Sequence, residues 1–436
     1  MKSINSIPTS KIARAKTLLK TGVQVGGNYT VHYTKKILGQ DVSQNDLDKE
    51  NASAIYDGLK TMKGSALKVA QMLSMEKNML PEAYYDQFSL AQFSVPPLSY
   101  PLVQKSFKRS MGQSPEVLFD RFEREAAHAA SIGQVHKAYK DGHAYAVKIQ
   151  YPGVAESIIS DLKLVKPVAL KMFNINAKDS EKYFQEVQDK LLEETDYQLE
   201  LEQSQAIAQS CAGLDNVRFP SYYRSLSSDR ILTMDWMEGQ HIQTFAKAHR
   251  GTELAHRVGQ SLWDFYMYQM HLLKKVHADP HPGNFLVDVE NRLVPIDFGC
   301  MKQVPENFYT PYFALATAEA QNDRGVFDAL LWDLEILVQS DDQATIKYVS
   351  DLFHELLSLF TQPFQRDQFD FSNPDFWGAI GALSKRLSSD QTIRKMNGNR
   401  GSKHFLYINR TFYGLYNLLF DLGARVDTKS FARYMN

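Results

Sequence analysis

The chain has 436 residues, of which 44% are hydrophobic and 12% aromatic, which is enough for two or three domains with substantial cores. Its 49 basic and 50 acidic side chains leave a formal net charge of −1, which argues against a global nucleic-acid-binding surface. The two cysteines, Cys211 and Cys300, lie far apart and outside any CxxC motif, so neither a disulfide framework nor a zinc site is expected.

The first forty residues are strongly basic. Seven lysines and arginines precede the first acidic residue, Asp41: Lys2, Lys11, Arg14, Lys16, Lys20, Lys35 and Lys36. A segment of this composition can be a solvated tail, a patch that rests on anionic lipid, or an organelle presequence. The sequence shows no apolar run long enough to cross a bilayer and no secretion signal, so we expect any membrane contact to be peripheral.

A helical region follows the basic segment. From Ser53 to Leu73 apolar residues recur at steps of three and four, which predicts an amphipathic helix. Lys68 and Gln71 are three apart on its polar side, where one helix face can present both, and taken alone they would be a solvated face. A second helix is predicted over residues 100–122.

The centre of the chain is rich in strands. In "SIGQVHKAYKDGHAYAVKIQY" two alternating runs meet at Asp141-Gly142, a strong signal for a β-hairpin whose second strand carries Lys148. Residues 180–208 predict one long acidic helix with Ser180 as its cap, and "RILTMDW" predicts an apolar strand. The remainder is mostly helical, with short strands at "NFLVDV" and "RLVPIDF". This order predicts an α+β protein with its chemistry in a cleft between two lobes.

The polar loop "HADPHPGNF" precedes these two short strands and "DFG" follows them. Its prolines and polar side chains suit neither a core strand nor a helix, so an ordered surface loop is expected. Asp279 and Asn284 are five apart in the loop, and Asp297 lies thirteen further on. Converging oxygen ligands of this kind are typical of a Mg²⁺ site that phosphate oxygens and water complete. Asn284 and Asp297 are then the metal ligands, and Asp279 remains to orient or deprotonate an acceptor.

The order lysine, acidic helix, Asp-x4-Asn and DFG matches the catalytic elements of protein kinases, although each short motif alone is weak evidence. Further motifs make the likeness more specific, and the chain resembles the UbiB/ADCK family of atypical kinases, of the coenzyme Q biosynthesis type, from about Ile7 to its C-terminus. The family's motifs correspond to "KGSALKVAQMLS" (its KxGQ helix), "AASIGQVHKA" (Ala-rich loop), "AVKIQYPGVAESI" (lysine strand), "EETDYQLE" (ExD motif) and "HADPHPGNF" with "IDFG" (catalytic pair).

The resemblance implies catalytic roles for individual residues. Lys148 is expected to contact the nucleotide phosphates with Glu200 as its ion-pair partner, although which glutamate of the acidic helix makes this pair stays open. The KxGQ helix is expected to fold across the cleft with Lys68 close to the ExD carboxylates, and such a lid would oppose phosphorylation of proteins in trans. The candidate catalytic residues are Asp279, Lys148, Glu200, Lys68, Gln71, Glu194 and Asp196.

The resemblance also implies that the Ala-rich loop, the lysine strand and the hinge bind an adenine nucleotide, ATP or ADP. The candidate residues are Ala129, Ala130, Ser131, Ile132, Gly133, Gln134, Val135, Ala146, Lys148, Met234, Asp235, Trp236 and Met237. Alanine restricts the backbone more than the glycines of ordinary kinases, and the family implies a preference for ADP-like binding with weak protein kinase activity. Two positions depart from the family: Ala70 replaces the Gly of KxGQ, and His128 stands where the Ala-rich loop often has Ala.

We therefore predict a bilobal protein-kinase-like α+β fold with an N-terminal helical extension. Its expected parts are a basic segment (1–50), a family-specific extension (51–125), a kinase-like N-lobe (126–238) and a helical C-lobe (239–436). The predicted function is an atypical kinase or ATPase that uses Mg²⁺ and ATP or ADP to support ubiquinone biosynthesis or a related lipid process. The alternatives are a catalytically weak pseudokinase scaffold and a peripheral lipid-binding module.

The expected partners and location follow from the same resemblance and from the basic segment. Besides the nucleotide, the partners are an anionic membrane surface or an isoprenoid lipid, and quinone-biosynthesis enzymes, with no nucleic acid. The expected location is the cytoplasm, at the inner face of a membrane, or the mitochondrial matrix in a eukaryote.

Overall fold

The computed structural model describes residues 11–37, 43–62, 97–129, 132–172, 181–390 and 401–434. The chain divides into two compact units. The first comprises the described residues up to Leu201 together with Ser221–Trp236, and the second comprises Glu202–Pro220 and the described residues from Met237 onward. Within the described residues, no helix is both long and apolar enough to cross a membrane.

In the first half of the described chain four helices precede four strands and three further helices, and helices predominate in the second half. In chain order they are α1 (Lys11–Ile37), α2 (Gln44–Met62), α3 (Tyr100–Met111), α4 (Pro115–Leu118), β1 (Arg121–Phe122), β2 (His128–Ala129), β3 (Gly133–Lys140), β4 (His143–Gln150), α5 (Val154–Met172), α6 (Glu181–Glu194), α7 (Tyr197–Ser210), β5 (Ile231–Asp235), β6 (Gly239–His241), α8 (Ile242–His249), α9 (Glu253–Tyr268), β7 (Lys275–His277), β8 (Phe285–Asp288), β9 (Leu293–Pro295), β10 (Met301–Gln303), α10 (Glu306–Ala314), α11 (Ala318–Asn322), α12 (Arg324–Asp333), α13 (Gln343–Phe360), β11 (Gln368–Asp370), α14 (Pro374–Ser389), α15 (Lys403–Leu422) and β12 (Arg425–Asp427).

An antiparallel sheet forms the centre of the first unit. Its order is β1-β3-β4-β5, and β2 also pairs with β3. The predicted β3–β4 hairpin is confirmed. Asp141 and Gly142 have φ angles of 50° and 75°, the left-handed conformation that a two-residue type I′ turn requires. Because β4 lies between β3 and β5, its Lys148 is on an interior strand and pairs with Leu232 of β5.

The predicted helix over residues 100–122 is wrong in its second half. α3 ends at Met111 because Gly112 adopts the left-handed conformation, with φ of 78°, and its N–H donates to the carbonyl of Lys108. Pro115 then begins the single turn α4, and Phe122 pairs with β3 as part of β1. Glycine and proline here override the helical spacing of the apolar residues.

The single acidic helix predicted over residues 180–208 is also wrong, because the segment forms two helices, α6 and α7. Asp196 Oδ1 accepts a hydrogen bond from Leu199 N (3.0 Å) and thereby caps α7. Glu194 is the last residue of α6, and Glu200 lies in the first turn of α7. These carboxylates therefore do not share one continuous helix, as the sequence suggested, and the predicted cap, Ser180, lies outside the described residues.

Two helices, α1 and α2, pack together at the start of the first unit. Asn28 Nδ2 of α1 donates to Asn51 Oδ1 of α2 (3.0 Å). Gly58 allows the helices to approach closely, because a Cβ at this position would overlap Thr21. α2 contains the beginning of the amphipathic helix predicted from Ser53, and residues 63–73 of that prediction lie outside the described residues.

The second unit is mainly helical, with short antiparallel ladders. Strands β6, β8 and β9 form one ladder, β7 and β10 form another, and β11 and β12 a third. β8 and β9 confirm the strands predicted at "NFLVDV" and "RLVPIDF". The core is centred on α9, where Trp263, Phe265 and Tyr266 are fully buried. The first two ladders hold the polar loop and the DFG sequence.

Candidate functional site

The lysine of β4 is held by a buried ion pair within the first unit. Lys148 Nζ lies 2.6 Å from Glu200 Oε1 of α7, and only 13% and 2% of the two side chains are exposed. Removing either partner would leave the other charge uncompensated in a poorly solvated place, which is strongly destabilising. Glu193 pairs instead with Lys190. The structure thus places Glu200 at Lys148, and this observation answers the question that the sequence left open.

A small apolar cluster adjoins the ion pair. Ala146 and Met234 are cross-strand partners on β4 and β5. Both belong to a buried cluster that includes Tyr197, whose ring centre is 5.0 Å from Lys148 Nζ, and Val135 and Trp236 pack against it. Apolar walls beside a few polar groups are typical of small-molecule sites. Several predicted nucleotide-binding residues are therefore gathered in one cluster, and their role in binding stays a prediction.

The Ala-rich loop is described only in part. Ala129 lies on β2 and pairs with Gln134 of β3, whereas Ala130 and Ser131 lie outside the described residues. Ile132 is buried in the hydrophobic core of the first unit. A Cβ on Gly133 would stand 2.7 Å from the carbonyl oxygen of Ile149, so the packing of β3 against β4 is sufficient to require glycine here.

The predicted hinge begins at the end of β5. The N–H groups of Asp235 and Trp236 donate to the carbonyls of Ser221 and Ala144. The Asp235 carboxylate accepts hydrogen bonds from Tyr223 OH and Ser221 N, at 2.7 and 2.8 Å. Burial alone would raise the pKa of Asp235, but these hydrogen bonds, with one from His143, lower it overall. The Asp235 side chain thus stabilises the end of β5. Met237 belongs to the second unit.

Two short ladders bring the candidate metal and acceptor residues together in the second unit. Ile296 N donates to the carbonyl of Asn284 (3.0 Å), which extends the β8–β9 ladder to the residue before Asp297. Ala278 N donates to the carbonyl of Cys300 (2.8 Å), which extends the β7–β10 ladder to the residue before Asp279. Asp297 therefore follows the end of the β8–β9 ladder, and Asp279 follows the end of the β7–β10 ladder. Each aspartate lies next to the segment that contains the other.

Asp279 is held from two sides. Arg410 Nη2 of α15 donates to Asp279 Oδ1 at 2.9 Å, and 19% of each side chain is exposed. Asn284 Nδ2 donates to the Asp279 carbonyl at 2.9 Å and approaches Asp279 Oδ2 at 3.4 Å. One turn beyond Arg410 on α15, Gly414 lies against Pro280, and a Cβ there would overlap the proline ring. α15 therefore holds the polar loop in two ways, through the ion pair of Arg410 and through the close contact of Gly414 with Pro280.

Sequence reasoning missed both Arg410 and Gly414. An arginine and a glycine four apart on a helix have no distinctive spacing, and they lie more than 120 residues from the loop that they contact. Only the folded chain shows the connection.

His277, the first residue of the polar loop, is part of the core. Its Nδ1 is 3.2 Å from Tyr266 OH, and its ring packs edge-on against Phe298 of DFG. Burial lowers the pKa of His277, while Asp279 and Asp297 raise it and Arg410 lowers it further. The two carboxylates and the guanidinium are therefore all close enough to act on one imidazole.

The residues present fit a magnesium ion. The Asn284 amide is oriented by its donation to the Asp279 carbonyl, which presents its oxygen as the ligand atom. Asp297 Oδ1 accepts a hydrogen bond from Gly299 N (3.0 Å), which fixes the carboxylate. Among the described residues, no group of three or more His, Cys, Asp and Glu side chains is arranged to hold a metal. An oxygen set this small suits Mg²⁺, which takes one or two carboxylates plus substrate phosphates.

The structure describes only some of the remaining candidate residues. Lys68, Gln71 and Ala70 lie outside the described residues. Glu194 is half-buried at the end of α6, and Asp196 is exposed as the cap of α7. The predicted contact of Lys68 with these carboxylates therefore stays a prediction.

Comparison with known proteins identifies the family. A family model described as the ABC1 atypical kinase-like domain matches residues 90–328, which is more than half of the chain. The chain belongs to this ABC1 family. Lys148, Glu200, Asp279 and Asp297 fall inside the matched residues, whereas Arg410 does not. The predicted resemblance to UbiB/ADCK atypical kinases is confirmed, and so is the class of protein, a member of the phosphotransferase superfamily.

Several curated relatives carry kinase names. Protein ACTIVITY OF BC1 COMPLEX KINASE 8, chloroplastic, of Arabidopsis thaliana is 32% identical over 355 residues, covering 75% of this chain and 47% of that protein. Atypical kinase COQ8, mitochondrial, of Saccharomyces cerevisiae is 26% identical over 443 residues, covering 97% and 84%. Atypical kinase COQ8B, mitochondrial, of Rattus norvegicus is 28% identical over 377 residues, covering 84% and 70%. The chain spans about half the length of the plant relative.

A solved structure confirms the predicted fold class. Rv3197 of Mycobacterium tuberculosis, determined as a complex with erythromycin, aligns with a TM-score of 0.59 and 25% identity, covering 89% of this chain and 96% of that one. A kinase-like fold of mixed helix and antiparallel sheet is thereby shown for this ABC1 family member.

Proposed function

We propose that this protein binds an adenine nucleotide with Mg²⁺ and hydrolyses or transfers its γ-phosphate. The observation that carries the proposal is the buried pair of Lys148 and Glu200 beside the apolar cluster of Ala146 and Met234. In kinase folds a strand lysine paired with a helix glutamate holds the α- and β-phosphates. Lys148 is already fixed by its partner, so little side-chain freedom is lost when phosphate binds.

The second unit supports the chemistry. When bound, Mg²⁺ neutralises charge on the phosphate oxygens, and Asn284 and Asp297 would hold it. Asp279 would orient an acceptor hydroxyl or a water and take its proton. Its carboxylate is restrained by Arg410 and Asn284, which favours one geometry over many.

We further propose that phosphorylation of other proteins is poor and that ADP is bound well. Only residues 300–305 separate Gly299 of DFG from α10, and half of them form β10. In protein kinases the activation loop follows DFG, and this connection is too short for one. The alanines of the Ala-rich loop limit the approach of the backbone to phosphates, and the predicted KxGQ lid adds to the same restriction.

For the biological role, we propose support of isoprenoid-quinone (ubiquinone) biosynthesis or a related lipid process, alongside quinone-biosynthesis enzymes. The names of the COQ8 relatives support this assignment. Those relatives are named as mitochondrial, and the first plant relative as chloroplastic. From these names we propose a location inside an organelle, such as the mitochondrial matrix, with peripheral contact at the inner face of a membrane.

A titration tests nucleotide binding. We expect MgADP and MgATP to bind the wild-type protein and Lys148→Met to lose this affinity. Lys140→Met is the matched control, because Lys140 is on the same sheet at the hairpin end, opposite His143. Equal affinities for wild type and Lys148→Met would refute the proposal.

Phosphate release tests turnover. We expect steady release from the wild-type protein and none from Asp297→Asn. Nucleotide binding without any wild-type release would instead favour the pseudokinase scaffold.

A specific surface favours peripheral membrane contact as a second function. On α1, Leu19, Val23 and Val31 are 71%, 76% and 53% exposed and lie on one face. Lys16 and Lys20 are exposed on the same side, and α1 contains no acidic residue. Exposed apolar side chains among lysines are typical of helices that rest on anionic lipid.

Vesicle binding tests this function. We expect the protein to bind anionic vesicles but not neutral ones, and Leu19→Ser with Val23→Ser to weaken binding. Val117→Ser is the control, because Val117 is an equally exposed apolar residue (70%) on a different helix, α4. Unchanged binding by the double variant would exclude this surface.

A further inference from the structure

A chain of hydrogen bonds lies in the first unit beside β2, β3 and β4, the strands that carry predicted nucleotide-binding residues. His136 Nδ1 lies 2.8 Å from the carbonyl oxygen of Glu123, and His136 Nε2 lies 2.8 Å from Gln134 Nε2. Gln134 Oε1 accepts from the backbone N–H of Leu98 at 2.7 Å. Gln134 and His136 are 1% and 0% exposed. We call this set, from Glu123 to Leu98, the Gln134 relay.

The direction of the relay is fixed by its ends. A carbonyl oxygen only accepts, so His136 Nδ1 must carry the proton and donate to Glu123. Nε2 of the neutral imidazole then accepts from the Gln134 amide nitrogen, which turns the amide oxygen toward Leu98. Burial lowers the pKa of His136, which favours this neutral ring. Every member is satisfied in only one arrangement.

The relay joins segments that are distant in sequence. Leu98 immediately precedes Ser99, the N-cap of α3, and Glu123 follows β1. Gln134 is the cross-strand partner of Ala129 on β2 and of Ile149 on β4, the neighbour of Lys148. A side chain so enclosed cannot also reach a ligand in the same conformation. The relay instead connects the backbone just before α3 to β2 and β3, the strands on either side of the Ala-rich loop.

We propose that Gln134 and His136 are positioning residues, which hold β2 and β3 in the conformation that binds nucleotide by anchoring them to the backbone at Leu98. The inference rests on the proposed nucleotide binding and changes the expected role of Gln134 from ligand to anchor. Because the anchored strands are ordered before binding, nucleotide affinity is higher than it would be for a loose loop.

The test replaces the amide by a side chain of similar length in Gln134→Met. Amide hydrogen exchange of the peptide containing Leu98 should accelerate about tenfold, since its buried hydrogen bond is lost. The dissociation constant of MgADP and the KM for MgATP should rise about fivefold, with kcat nearly unchanged. Unaltered nucleotide affinity, or a fall in kcat alone, would overturn the proposal.

Gln150→Met is the matched control. Gln150 is a buried glutamine on the adjacent strand whose amide donates to the Thr195 carbonyl at 2.8 Å, and it has no hydrogen bond to Leu98. Both variants lose a buried hydrogen bond, but only Gln134→Met should alter exchange at Leu98 and nucleotide affinity. Equal loss of affinity in the two variants would reduce Gln134 to a general structural role and overturn the inference.

A conservative variant serves if Gln134→Met does not fold. Gln134→Glu keeps an acceptor for Leu98, so Leu98 should stay protected, and the new carboxyl group and the His136 imidazole should share one proton across their contact. Loss of protection at Leu98 in this variant, measured by amide hydrogen exchange, would refute the contact. If the wild-type protein bound neither MgADP nor MgATP, the proposed function would fail, and the Leu98 exchange rate would still report on the relay.

Discussion

The two ion pairs, Lys148 with Glu200 and Asp279 with Arg410, differ in how they are built. The first joins a strand and a helix that are 52 residues apart, and both residues belong to recognisable motifs. The second joins a loop to a helix 131 residues further along the chain, and its arginine stands in no motif. The first pair is also more deeply buried.

The difference indicates two kinds of constraint. Lys148 and Glu200 must meet to compensate each other's charge, because either one alone is costly in a dry site. Asp279 is partly solvated, with 19% of its side chain exposed. Its pairing, together with the close contact of Gly414, restrains where the carboxylate points. The first pair is thus expected to support folding and nucleotide binding, and the second to support turnover.

The largest expected effect follows from Glu200→Gln. The charge of Lys148 loses its partner, so nucleotide affinity should fall, phosphate release should fall about a hundredfold, and the protein should be destabilised by about 3 kcal/mol. Calorimetric titration, phosphate release and urea unfolding measure these quantities. Glu202→Gln, at an exposed position on the same helix, should leave all three nearly unchanged. An active, stable Glu200→Gln protein would remove the contrast between the pairs.

A smaller and more selective effect is expected from Arg410→Gln. Without the guanidinium, Asp279 gains freedom, so kcat for phosphate release should fall about tenfold while the affinity for MgADP stays the same. Arg425→Gln is the control, because the side chain of Arg425 forms an exposed ion pair with Asp370. A loss of MgADP affinity in Arg410→Gln would show that the second pair supports binding as well.

The strands and the candidate site residues can be predicted from the sequence because their signals are local. The Asp141-Gly142 turn, the alternating β4 and the Asp-x4-Asn spacing each require only neighbouring residues. The break between α6 and α7 cannot be predicted from the acidic residues, because Asp196 fits an acidic helix face equally well, whereas in the structure its side chain caps a new helix. Arg410 and the Gln134 relay depend on tertiary contacts that no local pattern contains.

Gly414→Ala separates the close contact from the charge. The new Cβ would overlap the Pro280 ring, so we expect a loss of about 2 kcal/mol of stability and a lower kcat. Gly378 is the matched control, since it lies within α14 and a Cβ there meets nothing within 4 Å. Gly378→Ala should stabilise the protein by up to about 1 kcal/mol, because alanine favours helix more than glycine does. Urea denaturation measures the change in unfolding free energy, which should decrease for Gly414→Ala and increase for Gly378→Ala.

The smallest effect concerns the turn that leads into the polar loop. His271 lies in the π-helical turn Gln269–Leu273, and its ring packs against Phe313 and against Phe431 near the C-terminus. Burial, followed by the charge of Lys274, lowers the pKa of His271 from its ordinary 6.5 to about 4. In the unfolded chain the imidazole takes up a proton near pH 6.5, so this group's contribution to stability is present above pH 6.5 and is lost as the pH falls toward 4.

His271→Phe should therefore weaken the acid sensitivity. The wild-type protein should lose more unfolding free energy than the variant between pH 7 and pH 5, by on the order of 1 kcal/mol. Urea denaturation at the two pH values measures the difference, and His256→Phe, at a half-buried histidine of α9, controls for the loss of a histidine. Equal acid sensitivity of wild type and His271→Phe would show that this turn stays solvated. Support of the polar loop from distant parts of the chain would then rest on α15, through the charge of Arg410 and the close contact of Gly414.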